Sequence, residues 1–409
     1  MTVLTRPSRR KEAGQTIVLF AVSLIVILGF VGLAVDMGYL RYMKRRMQSA
    51  TDAAAVAGAS EIKYGDAVTA AKADSASNGF TDGANQVTVT VNNPPSTGPH
   101  AGNADYAEVL IADNLSTFFM KVLGINTVPM QTRAVAHLGS STNCVFGLLS
   151  SGNAIVATSA NVQTTCGIMD NANLSASLSC ITARSVGVAG SVLTSGTGLC
   201  AQAITPNPST SIAPENDPLS YLAVPPLGDC TVNPSTVTIT GATVTLPSGT
   251  YCGGIVISGG ANVTFSSGIY VLNGGGLSIS GSSVSGTGVT FYNTFDATHA
   301  AGGITFAPST STSLIAPTTG NYAGILFFQD PANLASAQFT GDTNTILQGA
   351  LYFPDALLVT IDGVSGTAAY TILVAQSIQF NSTSNNVIFN SDYSSLPGGS
   401  PIRNAVLVE

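Results

Sequence analysis

Six cysteines, three histidines and a few acids are the residues of this 409-residue chain with the chemistry to be functional. The cysteines are Cys144, Cys166, Cys180, Cys200, Cys230 and Cys252. None forms a CxxC pair. An even count without metal-ligand spacing points to disulfides made in an oxidising compartment, with buried thiols as the alternative. Successive separations of 22, 20 and 22 residues favour sequential pairing, although connectivity does not follow from sequence. The histidines, His100, His137 and His299, have no second His or Cys at zinc spacing, so each reads as an ordinary surface or core histidine. There is no intact GxSxG elbow and no P-loop. Asp330, Asp342, Asp355 and Asp362 are single acids in separate turns. A glycoside hydrolase would need two of them facing one bond, about 5–9.5 Å apart. The more usual role of such acids is to satisfy corner backbone groups. The expectation is no catalytic residue, no cofactor and no metal.

Charge narrows the classes further. Charged residues are 9% of the chain, the net charge is −7, and there is no Trp. That composition excludes a coiled coil and an acidic disordered chain, and it argues against a nucleic-acid partner. Eight of the fourteen Lys and Arg lie within residues 1–46, and beyond residue 140 only Arg184 and Arg403 are basic. A polyuronate lyase would need cationic groups there to hold its substrate, which makes that chemistry a poor fit.

Residues Ile17 to Val35 are nineteen in a row without a charge. As a helix they would span about 28 Å, close to the ~30 Å hydrocarbon core of a bilayer. The run is longer than a signal-peptide core, so an uncleaved anchor is favoured. Four Lys or Arg stand on each flank, which ties the positive-inside count. Paired cysteines further on break the tie: residues 1–15 are placed in the cytoplasm and the rest outside.

The helix is expected to continue over 16–60. Asp36, Tyr39, Leu40, Met43, Met47, Ala50 and Ala54 are the candidates for docking it on another helix or domain. From Leu40 to Ala57 the apolar members step by 3, 4, 3, 4, 3, one stripe of a helix. Residues 61–139 read as a small α/β unit: a helix over 66–77, strands near 86–91, 106–112 and 128–138, and a helix over 115–123 with Phe118 and Phe119 facing the sheet.

From 140 the texture changes to short β-type runs parted by Gly, Ser, Thr and Asn. Ile255 to Leu277 is 22 residues, and Gly324-Ile-Leu-Phe-Phe328 recurs 25 residues later as Gly349-Ala-Leu-Tyr-Phe353. Repeats of this length suggest solenoid coils. A right-handed parallel β-helix is preferred, with a β-sandwich as the alternative. Residues 140–204 form a cysteine-bearing β region, 205–229 a Pro-rich loop and 230–409 the solenoid-like domain. Phe327, Phe328, Tyr352 and Phe353 would be a sugar-binding platform if exposed, although their strand positions favour the core.

A basic tail, an apolar run ending in Gly32-Leu-Ala-Val-Asp36, then Tyr39, Arg41 and Gln48-Ser-Ala-Thr-Asp-Ala-Ala-Ala55, resembles the N-terminus of TadE/TadG-like proteins of bacterial tight-adherence (Flp) pilus assembly. The stretches Thr117-Phe-Phe-Met-Lys-Val-Leu-Gly124 and Arg133-Ala-Val-Ala136 look similar to the family too. Pilins of that system carry a Glu five residues after the cleavage-site Gly. Here Gly14 is followed at that distance by Leu19, which fits the TadG-like branch. The resemblance implies a non-catalytic, single-pass inner-membrane protein with a periplasmic or cell-surface body. Its partners would be the inner membrane, other pilus-assembly subunits and, through the body, cell wall or surface glycans. A carbohydrate-binding adhesin and a β-helix carbohydrate-active enzyme are the other readings.

Overall fold

The structure is a computed structural model, and it describes residues 13–62, 66–140, 142–197, 200–230, 233, 235–341, 345–363, 368–381 and 386–409. The chain divides into two compact units, residues 1–139 with 405–409, and residues 140–404.

In the first unit, helix α1 (Ala13–Glu61) runs unbroken for 49 residues. Its first part, Ile17–Val35, is exposed except at Gly32. From Leu40 on, one face is buried through Met47, Ala50, Ala54, Ala55 and Ala59. This face follows the true 3.6-residue period, so Ala55 and Gly58 are buried while Ala57 is only half-buried. Helix α2 (Ala67–Ser77) starts at Asp66, whose carboxylate accepts the backbone N–H of Val68 and Thr69, an N-cap. A Cβ on Gly58 would sit 3.2 Å from the Ala71 Cβ and the Ala67 carbonyl, so this glycine lets the two helices approach.

Three antiparallel strands follow: β1 (Thr88–Asn92), β2 (Tyr106–Ser116) and β3 (Thr127–Ser140). The C-terminal strand Arg403–Leu407 is the fourth member, beside β3. Chain order therefore places the whole second unit between two neighbouring strands of the first. The helix expected over 115–123 does not form as such. Strand β2 runs through Ser116, and only a 3₁₀ turn, Met120–Leu123, follows.

The second unit is a parallel β-solenoid of about ten turns. One face is a ten-stranded sheet in the order Val237–Thr240, Ile255–Ser258, Leu277–Ile279, Ile304–Phe306, Ala337–Thr340, Val359–Asp362, Ile378–Asn381, Asn153–Thr158, Asn173–Ser177, Val192–Ser195. Nine spacings at about 4.8 Å make a stack roughly 43 Å long. The sandwich alternative fails because these strands pair in parallel with the next coil. The regions 140–204 and 230–409 prove continuous in space: Asn153–Thr158 stacks directly on Ile378–Asn381.

The chain therefore enters two coils short of one end, winds to that end at residues 192–210, crosses to the far end, and winds back to meet its own start. The crossing is made by the Pro-rich segment. Glu215 binds Asn143 and Asn171, Asp217 accepts the Tyr352 hydroxyl at 2.6 Å, and Tyr322 donates to the Ala223 carbonyl at 2.7 Å. These partners follow one another in order along the stack, so the segment is a strap along the solenoid. It also accounts for the continuous apolar runs seen in the sequence. Strands Ile325–Gln329 and Thr371–Ala375 are buried at every residue, as strands covered on both sides must be. Leu219 and Leu222 of the strap pack into the same core.

Corners are glycine columns. Gly254 and Gly276 have φ of +78° and +69°, and a Cβ on Gly276 would run into the carbonyl oxygen of Gly303 on the next coil.

Candidate functional site: the junction of helix and loop

The clearest built feature outside the two cores lies where the apolar half of α1 gives way to its docked half. Asp36 is 1% exposed. Its carboxylate accepts three consecutive backbone amides, from Phe118 and Phe119 at 2.9 Å and Met120 at 2.6 Å. The β2–β3 loop puts these amides there because Met120–Leu123 begins a 3₁₀ turn, whose first N–H groups lack partners in the turn itself. Gly124, with φ of +84°, ends the turn. Asp36 is thus bound by a loop of its own chain.

Aromatic packing holds the same contact. Tyr39 and Phe118 meet edge to face with centroids 5.1 Å apart. Phe119 lies on Gly32, where a Cβ would come within 2.8 Å of the ring. Below it an apolar groove is lined by Leu28, Gly32, Leu33, Phe119, Val122 and Leu123. Phe118 and Phe119 do not face the sheet, as the sequence suggests they would; they turn to α1 and remain more than half exposed.

Of the remaining docking candidates, Leu40, Met47, Ala50 and Ala54 are buried in the first unit's own core, with Met43 half-buried against it. Two cross-bonds fix the register of α1 on β3: Thr51 Oγ1 with Thr132 Oγ1 at 2.6 Å, and Gln48 Nε2 donating to the Arg133 carbonyl at 3.1 Å. Sequence reading missed a further cluster. Glu108 on β2 is buried and accepts hydrogen bonds from Ser96, Asn92, Thr97 and Arg133, and Arg133 also pairs with Glu409. Burial alone would raise the Glu108 carboxyl, but the Ser96, Asn92 and Arg133 bonds outweigh it and hold it down to about 2. Pairing of β1 with β2 sets Asn92 opposite Glu108, β3 brings Arg133 alongside, and the C-terminal strand adds only Glu409.

In the solenoid, the cysteines pair Cys144–Cys166, Cys180–Cys200 and Cys230–Cys252, the sequential scheme. His299 lies near Cys230 and Cys252, but both sulfurs are committed to the disulfide and offer no thiolate to a metal. Its imidazole instead meets Asp296 at 3.0 Å, and Asp296 also accepts from Asn273 and Thr298. His100 and His137 sandwich Tyr106, with ring centroids 4.1 and 5.0 Å away. Asp330 accepts from Tyr292, Thr294 and the Ala332 amide, a corner-closing role. Asp355 and Asp362 are half-buried, and Asp342 lies outside the described residues. The aromatics Phe327, Phe328, Tyr352 and Phe353 are all core.

One buried acid carries a pH prediction. Burial raises Asp170 to about 6, only partly offset by bonds from the amides of Ala172 and Ile155. A folded value above the unfolded one means the folded state holds the proton more tightly. Stability of the solenoid therefore falls as pH rises from about 4 to about 6, by roughly 3 kcal/mol from this group, and is flat above. Burial raises Glu215 and Asp217 in the strap as well, adding to the same slope. Denaturant unfolding of Asp170→Asn should show a visibly shallower slope between these pH values. An unchanged slope would place the titration elsewhere.

No curated protein and no solved structure matches the chain. Residues 14–61, all of α1 but its first residue, match the family model described as putative Flp pilus-assembly TadE/G-like, so the chain carries a TadE/G-like domain in its N-terminal helix.

Proposed function

We propose that this chain is a non-catalytic, membrane-anchored component of a Flp pilus-assembly system. The solenoid is a stiff body held outside the cytoplasm for contacts with other subunits or the cell wall. One observation carries the reading. The TadE/G-like match coincides with the one helix, among the described residues, that is both apolar enough to cross a membrane and docked on a folded unit by its far half. Three disulfides support an extracytoplasmic body. The candidate sugar platform is buried, so contacts of the body would be made by its outward Thr, Ser and Gln side chains, such as Thr305, Gln338 and Thr360.

The test is deletion of the gene in its own bacterium, with complementation. Pili counted by electron microscopy should drop at least tenfold and return with the full chain. They should not return with a chain whose residues 17–35 are replaced by a polar linker. Protease added to spheroplasts should digest the body and spare an N-terminal tag. Undiminished pili, or a protected body, would overturn the proposal.

A further inference from the structure

We propose that the loop Phe118–Ile125 is a second membrane-seated element. Its apolar side chains would lie in the hydrocarbon of the leaflet that α1 crosses beside Leu28–Val35. This rests on the reading of α1 as a membrane anchor and goes further than it.

Four observations converge. The first is position. The groove between loop and helix reaches down to Leu28, eight residues before Asp36, and at 1.5 Å per residue that is about 12 Å along the axis. Whatever medium surrounds Leu28, Gly32 and Leu33 therefore also meets Phe119, Val122 and Leu123. The second is composition. Phe118 and Phe119 are 59% and 52% exposed, Val122 88% and Leu123 74%. Such a cluster in water would be a large unexplained apolar patch. Lys121 is the only charge from Thr117 to Asn126, and its long stem allows the ammonium to reach the headgroups.

The third is backbone accounting. Hydrocarbon tolerates a non-helical segment only if its N–H groups are satisfied. Those of Phe118, Phe119 and Met120 go to Asp36, and those of Thr117, Val122, Gly124 and Ile125 to carbonyls at Asn126, Phe119, Lys121 and Met120. The buried carboxylate thus seals the end of a loop that water will not solvate. The fourth is the level of the interface. Arg41, Lys44, Arg45 and Arg46 are exposed on the next turns of α1, about 8–15 Å beyond Asp36 at 1.5 Å per residue, where phosphate groups would lie.

The chain has no Trp, so a single introduced one is a unique reporter. Three full-length variants, Val122→Trp, Val26→Trp in the apolar run and Leu193→Trp on the solenoid, are reconstituted in phosphatidylcholine vesicles with and without brominated acyl chains. Val122→Trp should emit at short wavelength and be quenched by brominated lipid nearly as strongly as Val26→Trp, with Leu193→Trp unaffected. Long-wavelength, unquenched emission from Val122→Trp beside a quenched Val26→Trp would overturn the proposal and leave the anchor standing. Short-wavelength emission without lipid quenching would also overturn it, because a protein surface would then be covering the loop. Loss of quenching at Val26→Trp as well would mean that the anchor reading itself has failed.

Discussion

Phe327→Ala should destabilise the solenoid by about 3–5 kcal/mol, the usual cost of emptying a buried aromatic site. Phe327 is fully buried in mid-stack. Its ring stacks on Phe291 at 5.1 Å and Phe353 at 6.3 Å, and meets Phe339 at 5.5 Å and Phe306 at 6.0 Å. Phe291 and Phe306 come from the coil before, Phe353 from the coil after and Phe339 from the same turn, so the hole would open between coils, where stacked strands and their backbone ladders resist collapse. In a solenoid, stability is close to a sum of coil and interface terms, and a weak interface in the middle parts the stack into two melting blocks. Urea unfolding followed by circular dichroism should show the midpoint falling and the single transition broadening or splitting. A loss under 1 kcal/mol with an unchanged single transition would mean that the aromatic column is not what couples the coils.

That column is partly readable in the sequence. The spacing from Ile255 to Leu277 is the true coil register. The repeat of Gly324–Phe328 at Gly349–Phe353 is right for its first members, with Ile325 opposite Ala350. It then slips by one, because a bulge sets Phe327 opposite Leu351 and Phe328 opposite Tyr352. Apolar alternation and glycine corners are local signals, and they survive in a single sequence. The permuted stacking order is not local. Nothing in residues 153–158 says that they lie on 378–381, since any parallel strand with the same inward Ile and Ala would fit that slot. The same holds for Asp36. Its place on the apolar stripe is legible, but its three amide partners are more than eighty residues away. The turn supplying them reads as a helix because Leu115–Leu123 is rich in helix-compatible residues.

Reducing the disulfides should loosen the solenoid from its two ends while its middle holds. Each bridge joins cysteines 20 or 22 residues apart, one coil of chain. On chain entropy alone, closing a loop of that length stabilises by about 3 kcal/mol. Their positions matter more than their number. Cys180–Cys200 ties the coils at one end, and Cys230–Cys252 ties the strap to the first coil at the other. At these ends Val192–Ser195 and Val237–Thr240 each have only one neighbouring strand among the described residues. An end coil makes half the stacking contacts of an inner one, so the bridge is a large share of what keeps it shut. The double variants Cys180→Ser with Cys200→Ser, and Cys230→Ser with Cys252→Ser, should each lose about 100-fold in amide-exchange protection over the coil concerned, the kinetic equivalent of about 3 kcal/mol. Protection at Ile325–Gln329 and Thr371–Ala375 should stay within a few-fold. The Cys144–Cys166 bridge is buried and lies inward of the end coil, so it should be the last to react with a reductant under native conditions. If protection fell evenly along the whole stack, the solenoid would be one cooperative unit, and the end bridges would not be acting as caps.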